Sequence, residues 1–375
     1  MKMRKITSSL LALFMVISLA GLAACGGSQS GSQDGSQSGS QNVSQDSGQG
    51  TSASPTGSEP IVLRAITAFP DGDPATRSLE YFCDIVEERS NGSITFERIF
   101  GGTFCSMPEE FDYISSGAAD VHLLLDATAI EKISLWSLAN QAYEIQGTAD
   151  LFNYIYFENE ETARYAEAQA AASNVKILGA LSGGYTLHFA KTPIKNFEDL
   201  RGTLYACERG VEIFNALGLN VQAIALGDQY EAISRGLANA GGISISMVIA
   251  LRLHELVGYG LLSSTSNAAP YFNMNLTTYN NLSAEQRRII DDSVRDAILY
   301  NFGLAEETLA YCLGELEAEN VELAYFSYED DMEYLQVAFD VNRTSIRPIA
   351  EATGYVEGFD AIVRAIGDYL GYELD

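Results

Sequence analysis

Ser93-Ile94-Thr95-Phe96-Glu97-Arg98-Ile99-Phe100 alternates apolar and polar residues as a strand does, and Gly101-Gly102 ends it in a loop. The reading widens from there in both directions. Upstream, Leu79, Phe82, Cys83 and Val86 recur at helical spacing over residues 75–90, and Asn91-Gly92 stops that helix. Before it, Ile61-Val62-Leu63-Arg64-Ala65-Ile66 alternates weakly and runs into Phe69-Pro70-Asp71-Gly72-Asp73-Pro74, a loop by its Pro and Gly content. Downstream, Pro108 to Ser116 reads as a short helix and Val121 to Leu125 as a buried strand. The β-loop-α-β-loop-α-β rhythm predicts an α/β fold with a parallel sheet and right-handed crossovers.

A second unit of the same kind follows. Val175 to Ala180 and Tyr185 to Lys191 read as strands, and Asn196 to Gly202 as a short helix ended by Gly. Thr203 to Cys207 and Val221 to Leu226 are strand-like. Val211 to Leu217 and Gln229 to Arg235 are helix-like, each followed by Gly. Ser283-Ala284-Glu285-Gln286 has the form of a capping box and opens a helical stretch to about Glu319. Repeated units of this size predict two lobes that hold a ligand where strand ends face a crevice.

The chain has 375 residues, 47% hydrophobic and 10% aromatic, which excludes disorder of the whole. It carries 50 acidic and 22 basic residues, for a formal net charge of −28. Such a surface repels phosphate backbones, so no nucleic-acid partner is expected. It also needs a covalent anchor to stay at an anionic membrane.

The start of the sequence reads as supplying one, the alternative being an ordinary secretory signal with an incidental Cys. Lys2, Arg4 and Lys5 precede an apolar run from Leu10 to about Leu22, the pattern of a signal peptide. The run ends on Leu22-Ala23-Ala24-Cys25-Gly26, which resembles the bacterial lipobox; the resemblance implies removal of residues 1–24 and lipidation of Cys25. Buried lipid methylenes contribute roughly 0.8 kcal/mol each. Residues 26–59 are Gly, Ser and Gln-rich with no aromatic residue, and read as a disordered tether with a reach of about 30 Å. Cys83, Cys105, Cys207 and Cys312 are widely spaced and form no CxxC or Cys/His cluster, so no metal is expected. A Cys83–Cys105 disulfide and single buried thiols are both open, with buried thiols the simpler reading.

Several stretches together resemble the solute-binding subunits of tripartite ATP-independent periplasmic (TRAP) transporters, the dicarboxylate-binding, DctP-like type. They are Val86-Glu87-Glu88-Arg89-Ser90-Asn91-Gly92-Ser93-Ile94, Ile114-Ser115-Ser116-Gly117-Ala118-Ala119-Asp120-Val121, and Lys191-Thr192-Pro193-Ile194-Lys195-Asn196-Phe197-Glu198-Asp199-Leu200-Arg201-Gly202. Phe214 through Gly236 and Leu282-Ser283-Ala284-Glu285-Gln286-Arg287 continue the match. No single stretch is specific; their order over about 300 residues carries the resemblance. It implies a two-lobed, periplasmic-binding-protein-like (type II) α/β fold with a long C-terminal helical region. Lobe I would span 60–183 and 269–308, and lobe II 184–268 and 309–375. It also implies closure around one small solute and delivery to TRAP membrane subunits, by a monomer with no cofactor and no covalent chemistry. Closure follows only if the solute prefers the closed state.

The resemblance has gaps where it matters most. The family's Arg for a solute carboxylate, a bidentate partner that only Arg supplies, falls here on Ala206, or on Tyr205 under another alignment. A second Arg position falls on Thr186. An Asn is lost within Ala238-Asn239-Ala240-Gly241-Gly242-Ile243-Ser244. Arg209 could supply a guanidinium or be a solvated loop charge. By the family's layout the cleft would be lined by Phe69, Phe104 and Asp126 from the first lobe. The second would contribute Tyr185, Thr186, His188, Cys207, Glu208, Arg209, Ser244 and Ser246. For several the structural alternative stays open: a helix N-cap for Asp126, a core imidazole for His188, a lobe-core ring for Phe104. The mixture of aromatics, hydroxyls and acids suits a neutral or cationic solute better than a dianion, with Asp126 or Glu208 pairing a cation.

An enzyme is not expected. There is no G-x-S-x-G elbow, H-E-x-x-H pair or P-loop. Glu109-Glu110 and Asp330-Asp331 sit in polar runs and read as solvated faces. The rival readings are a binding component of an ATP-driven importer and a sensory protein. The expectation is an extracytoplasmic, lipid-anchored solute-binding protein.

Overall fold

A computed structural model describes residues 60–124, 129–138, 149–208, 210–263 and 270–370. The strands are β1 Ile61–Ile66, β2 Ile94–Ile99, β3 Val121–Leu124, β4 Val175–Ala180, β5 Thr186–Ala190, β6 Leu204–Cys207, β7 Asn220–Ala223, β8 Ala240–Ser244, β9 Tyr259–Ser263, β10 Tyr271–Asn275 and β11 Glu322–Tyr325. The helices are α1 Pro74–Arg89, α2 Glu110–Ser116, α3 Ser134–Ser137, α4 Ala149–Asn153, α5 Glu160–Ala172, α6 Val211–Ala216, α7 Gln229–Ser234, α8 Ile245–Ala250, α9 Leu276–Asn281, α10 Ala284–Ala318, α11 Tyr328–Thr353 and α12 Val356–Leu370. Local chemistry accounts for several starts. Asp73 accepts from the backbone N–H of Ala75 and Pro74 occupies the first helical position of α1. Ser283 and Gln286 form the expected capping box at α10, and Ser327 with Asp330 forms a second at α11.

The strands form two sheets, in orders β2-β1-β3-β10-β4 and β11-β9-β5-β8-β6-β7. The sheets are mixed, which corrects the expectation of parallel ones. β1 pairs in parallel with β2 and β3, but β10 runs antiparallel to β3 and β4. Likewise β6 is parallel to β7 and β8, while β5 is antiparallel to β8 and β9. The reason is the path of the chain. It leaves the first sheet at the end of β4 and enters the second as β5, starting at the edge where β8 and β9 end. It returns from β9 into β10 in the same way. The two crossing segments touch where the Leu181 N–H donates to Pro270 O (2.8 Å).

Each sheet is buried on both faces. On the first, α1 and the start of α10 cover Leu63, Ala65, Val121, Phe272 and Met274. Its other face carries Ile66, Leu124 and Tyr271 under Trp136, Phe152 and Tyr156. On the second, α6 and the start of α11 cover Tyr205, Cys207 and Leu261, and α7, α8 and the end of α10 cover the other side. The 35-residue α10 thus serves both sheets: Ile290, Val294 and Ala297 belong to the first core, Cys312 and Leu316 to the second. The C-terminal helices depart from the expected division, which gave all of 309–375 to the second lobe. α11 starts on the second sheet with Tyr334 and Ala338, but Phe339, Ile346 and Ala350 pack in the first core, followed by Phe359, Ile362 and Ile366 of α12. A 26-residue helix is about 39 Å long, enough to carry the chain back across. Cys83 and Cys105 are free, buried thiols in different cores, as Cys207 and Cys312 are free and buried.

Candidate functional site

The crossings bring the strand ends of both sheets to one edge of each, the place where α/β sheets hold ligands. On the second sheet, Thr186 opens β5 in register with Ser244, the last residue of β8, and with Ser263, the last of β9. Paired residues on neighbouring strands share a face, so these hydroxyls form one row. Ser263 Oγ donates to Asp331 Oδ1 (3.0 Å) in the first turn of α11, and Ser244 and Ser246 hydroxyls lie 3.3 Å apart. Thr186 is 1% exposed and its Oγ1 has no partner. Tyr185, one residue earlier, donates its hydroxyl to Glu306 Oε1 of α10 (2.7 Å), and its carbonyl accepts from the Ile245 N–H (2.8 Å). Partial burial, and then the carboxylate beside it, hold the Tyr185 phenol above its ordinary range.

One step further in on the same face, His188 Nδ1 lies 2.7 Å from Tyr205 Oη. Its ring stacks on Phe326 at 5.2 Å and meets Phe197 edge-on. Burial pushes the imidazole down to about 3, so it is neutral. Gly242, opposite His188, leaves the room this pair needs.

On the first sheet, the chain leaving β1 is tied down by a carboxyl. Glu110 of α2 is fully buried, and its Oε1 accepts from the Ala68 N–H (2.6 Å). Burial raises this carboxyl to about 8, offset in part by that hydrogen bond, and Oε2 has no partner. On the same sheet, His122 is fully buried with neither ring nitrogen partnered, and burial pushes it down to about 3. Asn273 stands opposite it in register.

The structure thus brings Tyr185, Thr186, Ser244 and Ser246 together at one edge. It withdraws His188 into the second core and Phe104 onto the first, where Phe104 meets Tyr113 edge-on and the Arg64 guanidinium at 5.3 Å. Cys207 is buried, and burial lifts its thiol to about 11, so it is inert. Phe69 packs at the margin of the first core, and Glu208 is exposed. Ala206 is buried, paired with Gly241, and offers nothing to a carboxylate. Asp126, Arg209 and Cys25 lie outside the described residues. Two acids read as solvated are not: Glu110 is fully buried and Asp331 is 8% exposed. A signal for both was present, because Glu110 shares a helix face with Phe111 and Ile114, and Asp331 precedes Tyr334, Leu335 and Ala338 at i+3, i+4 and i+7. Ser263 was also missed. Among the described residues no group of three His, Cys, Asp or Glu could hold a metal, and no helix is long and apolar enough to cross a membrane.

The model of the family "Bacterial extracellular solute-binding protein, family 7", DctP, matches residues 65–344. A solute-binding protein of Sulfitobacter sp. strain NAS-14.1 is 22% identical over 281 residues, covering 74% of this chain and 85% of its own. Among solved structures, a TRAP periplasmic solute-binding protein from Ochrobactrum anthropi, described with its C-terminus bound in the ligand pocket, superposes with a TM-score of 0.66 at 17% identity, covering 84% of this chain and 97% of that one. Another from Sulfitobacter sp. NAS-14.1, with bound β-D-galacturonate, has a TM-score of 0.61 at 16% identity, covering 80% and 99%.

Proposed function

The chain belongs to bacterial extracellular solute-binding protein family 7, and from that premise we propose that it captures one small organic solute between its two sheets and delivers it to TRAP-type membrane subunits. The observation that carries this reading is the paired crossing at Leu181 and Pro270, which joins the end of β4 and the start of β10 in the first sheet to the edge of the second where the hydroxyl row begins. The names of the structural relatives, TRAP periplasmic proteins, support the transport partner. The reading is of binding alone, by a monomer, with no reaction on the solute. Lobe I takes 60–183, 269–308 and the helical residues 339–370; lobe II takes 184–268 and 309–338. Tyr185, Thr186, Ser244, Ser246, Ser263 and Asp331 form the second lobe's share of the site, with Phe69 and the Ala68 loop opposite.

A thermal-shift screen of the purified chain tests it. A solute at 100 times its Kd adds about 2.7 kcal/mol of stability, which raises the melting temperature visibly. A screen of acids, sugars, polyols, amines and nucleosides in which nothing raises it would sink the reading.

The same proposal places the protein on the extracytoplasmic face, held by lipid on Cys25 with residues 26–59 as tether. The variant Cys25→Ser is expected to move the chain from the membrane fraction to the soluble fraction. If the variant stays with the membrane, the anchor is not at Cys25.

A further inference from the structure

We propose that Glu110 is a proton-controlled latch on the loop that follows β1, holding it shut most firmly at acidic pH and loosening it as pH rises. The latch is a property of the free protein and stands apart from the reading of solute capture.

The loop, residues 67–73, is tied from several sides. Thr67 O accepts from the Gly102 N–H (3.1 Å), and Thr67 Oγ1 accepts from the Phe69 N–H (3.2 Å). Pro70 O accepts from Thr76 Oγ1 (2.9 Å) and from the Asp73 N–H (3.2 Å). Amides, carbonyls and hydroxyls make these ties, and such groups keep their protons near neutral pH. The Ala68 tie differs. Its N–H donates to Glu110 Oε1 (2.6 Å), a carboxyl brought by α2 from 42 residues away along the chain.

Glu110 suits its place with its proton on. It is fully buried, and its Oε2 meets no hydrogen-bond partner. Ionised there, it would hold a buried charge against one amide, which is why burial raises it to about 8. Water is close at hand. Glu109, the residue before it, is exposed, and α2 has only seven residues, so its first turn opens at small cost. An ionised Glu110 escapes burial by turning outward, and the Ala68 N–H then loses its acceptor. The charged and titratable groups around α2 are otherwise engaged. Glu109 accepts from the Ser106 N–H (3.0 Å), and Asp112 pairs with Lys132, whose ammonium lies over the Phe111 ring at 5.1 Å. Cys105, ahead of α2, and His122 of β3, against which α2 packs, are buried and neutral. Asp73 of the loop caps α1. Residues 125–128 and 139–148, outside the described residues, contain Asp126 and Glu144 and no Lys or Arg.

Hydrogen exchange of the full chain, read by mass spectrometry on peptides covering 67–73, tests the proposal. Opening frees a carboxyl of ordinary value 4.5 that the shut loop keeps protonated to about 8. After correction for the pH dependence of exchange itself, the loop's opening constant should rise about tenfold per pH unit between those values and level off above them. Peptides of β1 and β3 should exchange far more slowly at every pH. Glu110→Gln keeps an acceptor for Ala68 and cannot ionise, so its opening constant should stay flat. Glu110→Leu leaves the amide without an acceptor, and at pH 5 its loop should open about tenfold or more as often as that of Glu110→Gln. A rise in Glu110→Gln equal to the parent's overturns the proposal. A loop that exchanges only at the pace of β1 and β3 overturns it too, because the opening is then global unfolding. So does a Glu110→Leu loop no looser than that of Glu110→Gln, since the carboxyl then ties nothing.

Discussion

Replacing Gly242 by alanine is expected to cost about 2–5 kcal/mol, a large part of the 5–15 kcal/mol that holds a protein folded. A Cβ at this position would lie 2.0 Å from Tyr205 Oη and 2.6 Å from His188 Nδ1. Neither group has room to retreat, since Tyr205 is fully buried and His188 is wedged between Phe326 and Phe197. Two costs therefore add. One is overpacking, about 1–3 kcal/mol. The other is loss of the His188–Tyr205 hydrogen bond, which leaves a buried phenol and imidazole unpaired. The test is a double-mutant cycle by urea unfolding. Tyr205→Phe removes the oxygen that the new methyl meets first, so Gly242→Ala should cost at least 1 kcal/mol less in that background. Additive costs, at unchanged denaturant dependence, would show that the methyl is accommodated another way.

That position shows what the sequence can and cannot tell. The alternation of 94–99 and the spacing of Leu79, Phe82 and Val86 depend only on neighbours along the chain, so strands and helices are legible from them. Strand direction is not local. β5 and β10 read like any apolar strand, and their antiparallel placement follows from where the chain crosses between sheets. The site divides in the same way. Thr186 and Ser244 stand out as hydroxyls next to strand-like runs. Ser263 looks like the end of an apolar strand and joins them only through its register with Thr186. Glu110 and Asp331 were obscured by the acids beside them, Glu109 and Asp330, which belong to the exposed side and to a helix cap. Gly241-Gly242 carried no message as a dipeptide. Its role appears once Phe189, Tyr205 and His188 are packed over it.

The second large effect is on pH dependence, and Glu110 should produce it. In the folded chain this carboxyl keeps its proton to about pH 8, against an ordinary value of 4.5. Between those values the unfolded chain has released the proton and the folded chain still holds it. Folding then binds a proton, so its stabilising effect is complete below about pH 4.5 and is lost as pH rises through 8. The neighbouring Cys105 thiol, raised to about 11 by burial and by the acids near it, stays neutral in the folded chain over this range and affects stability only as pH nears its unfolded value of 9.0. His122 and His188 act in the opposite sense. Their folded values are depressed, so their contribution is present above the unfolded value of 6.5 and fades as pH falls. They are unchanged in Glu110→Gln, and the difference between variant and parent isolates the carboxyl. Gln keeps an acceptor for the Ala68 N–H and cannot ionise. The variant should match the parent near pH 5 and exceed it progressively toward pH 9, by an amount on the order of a few kcal/mol. Melting temperatures across that range read the difference directly. A constant gap would mean that Glu110 titrates alike in both states. A gap that closes as pH rises would mean that a cation meets Glu110 in the folded chain.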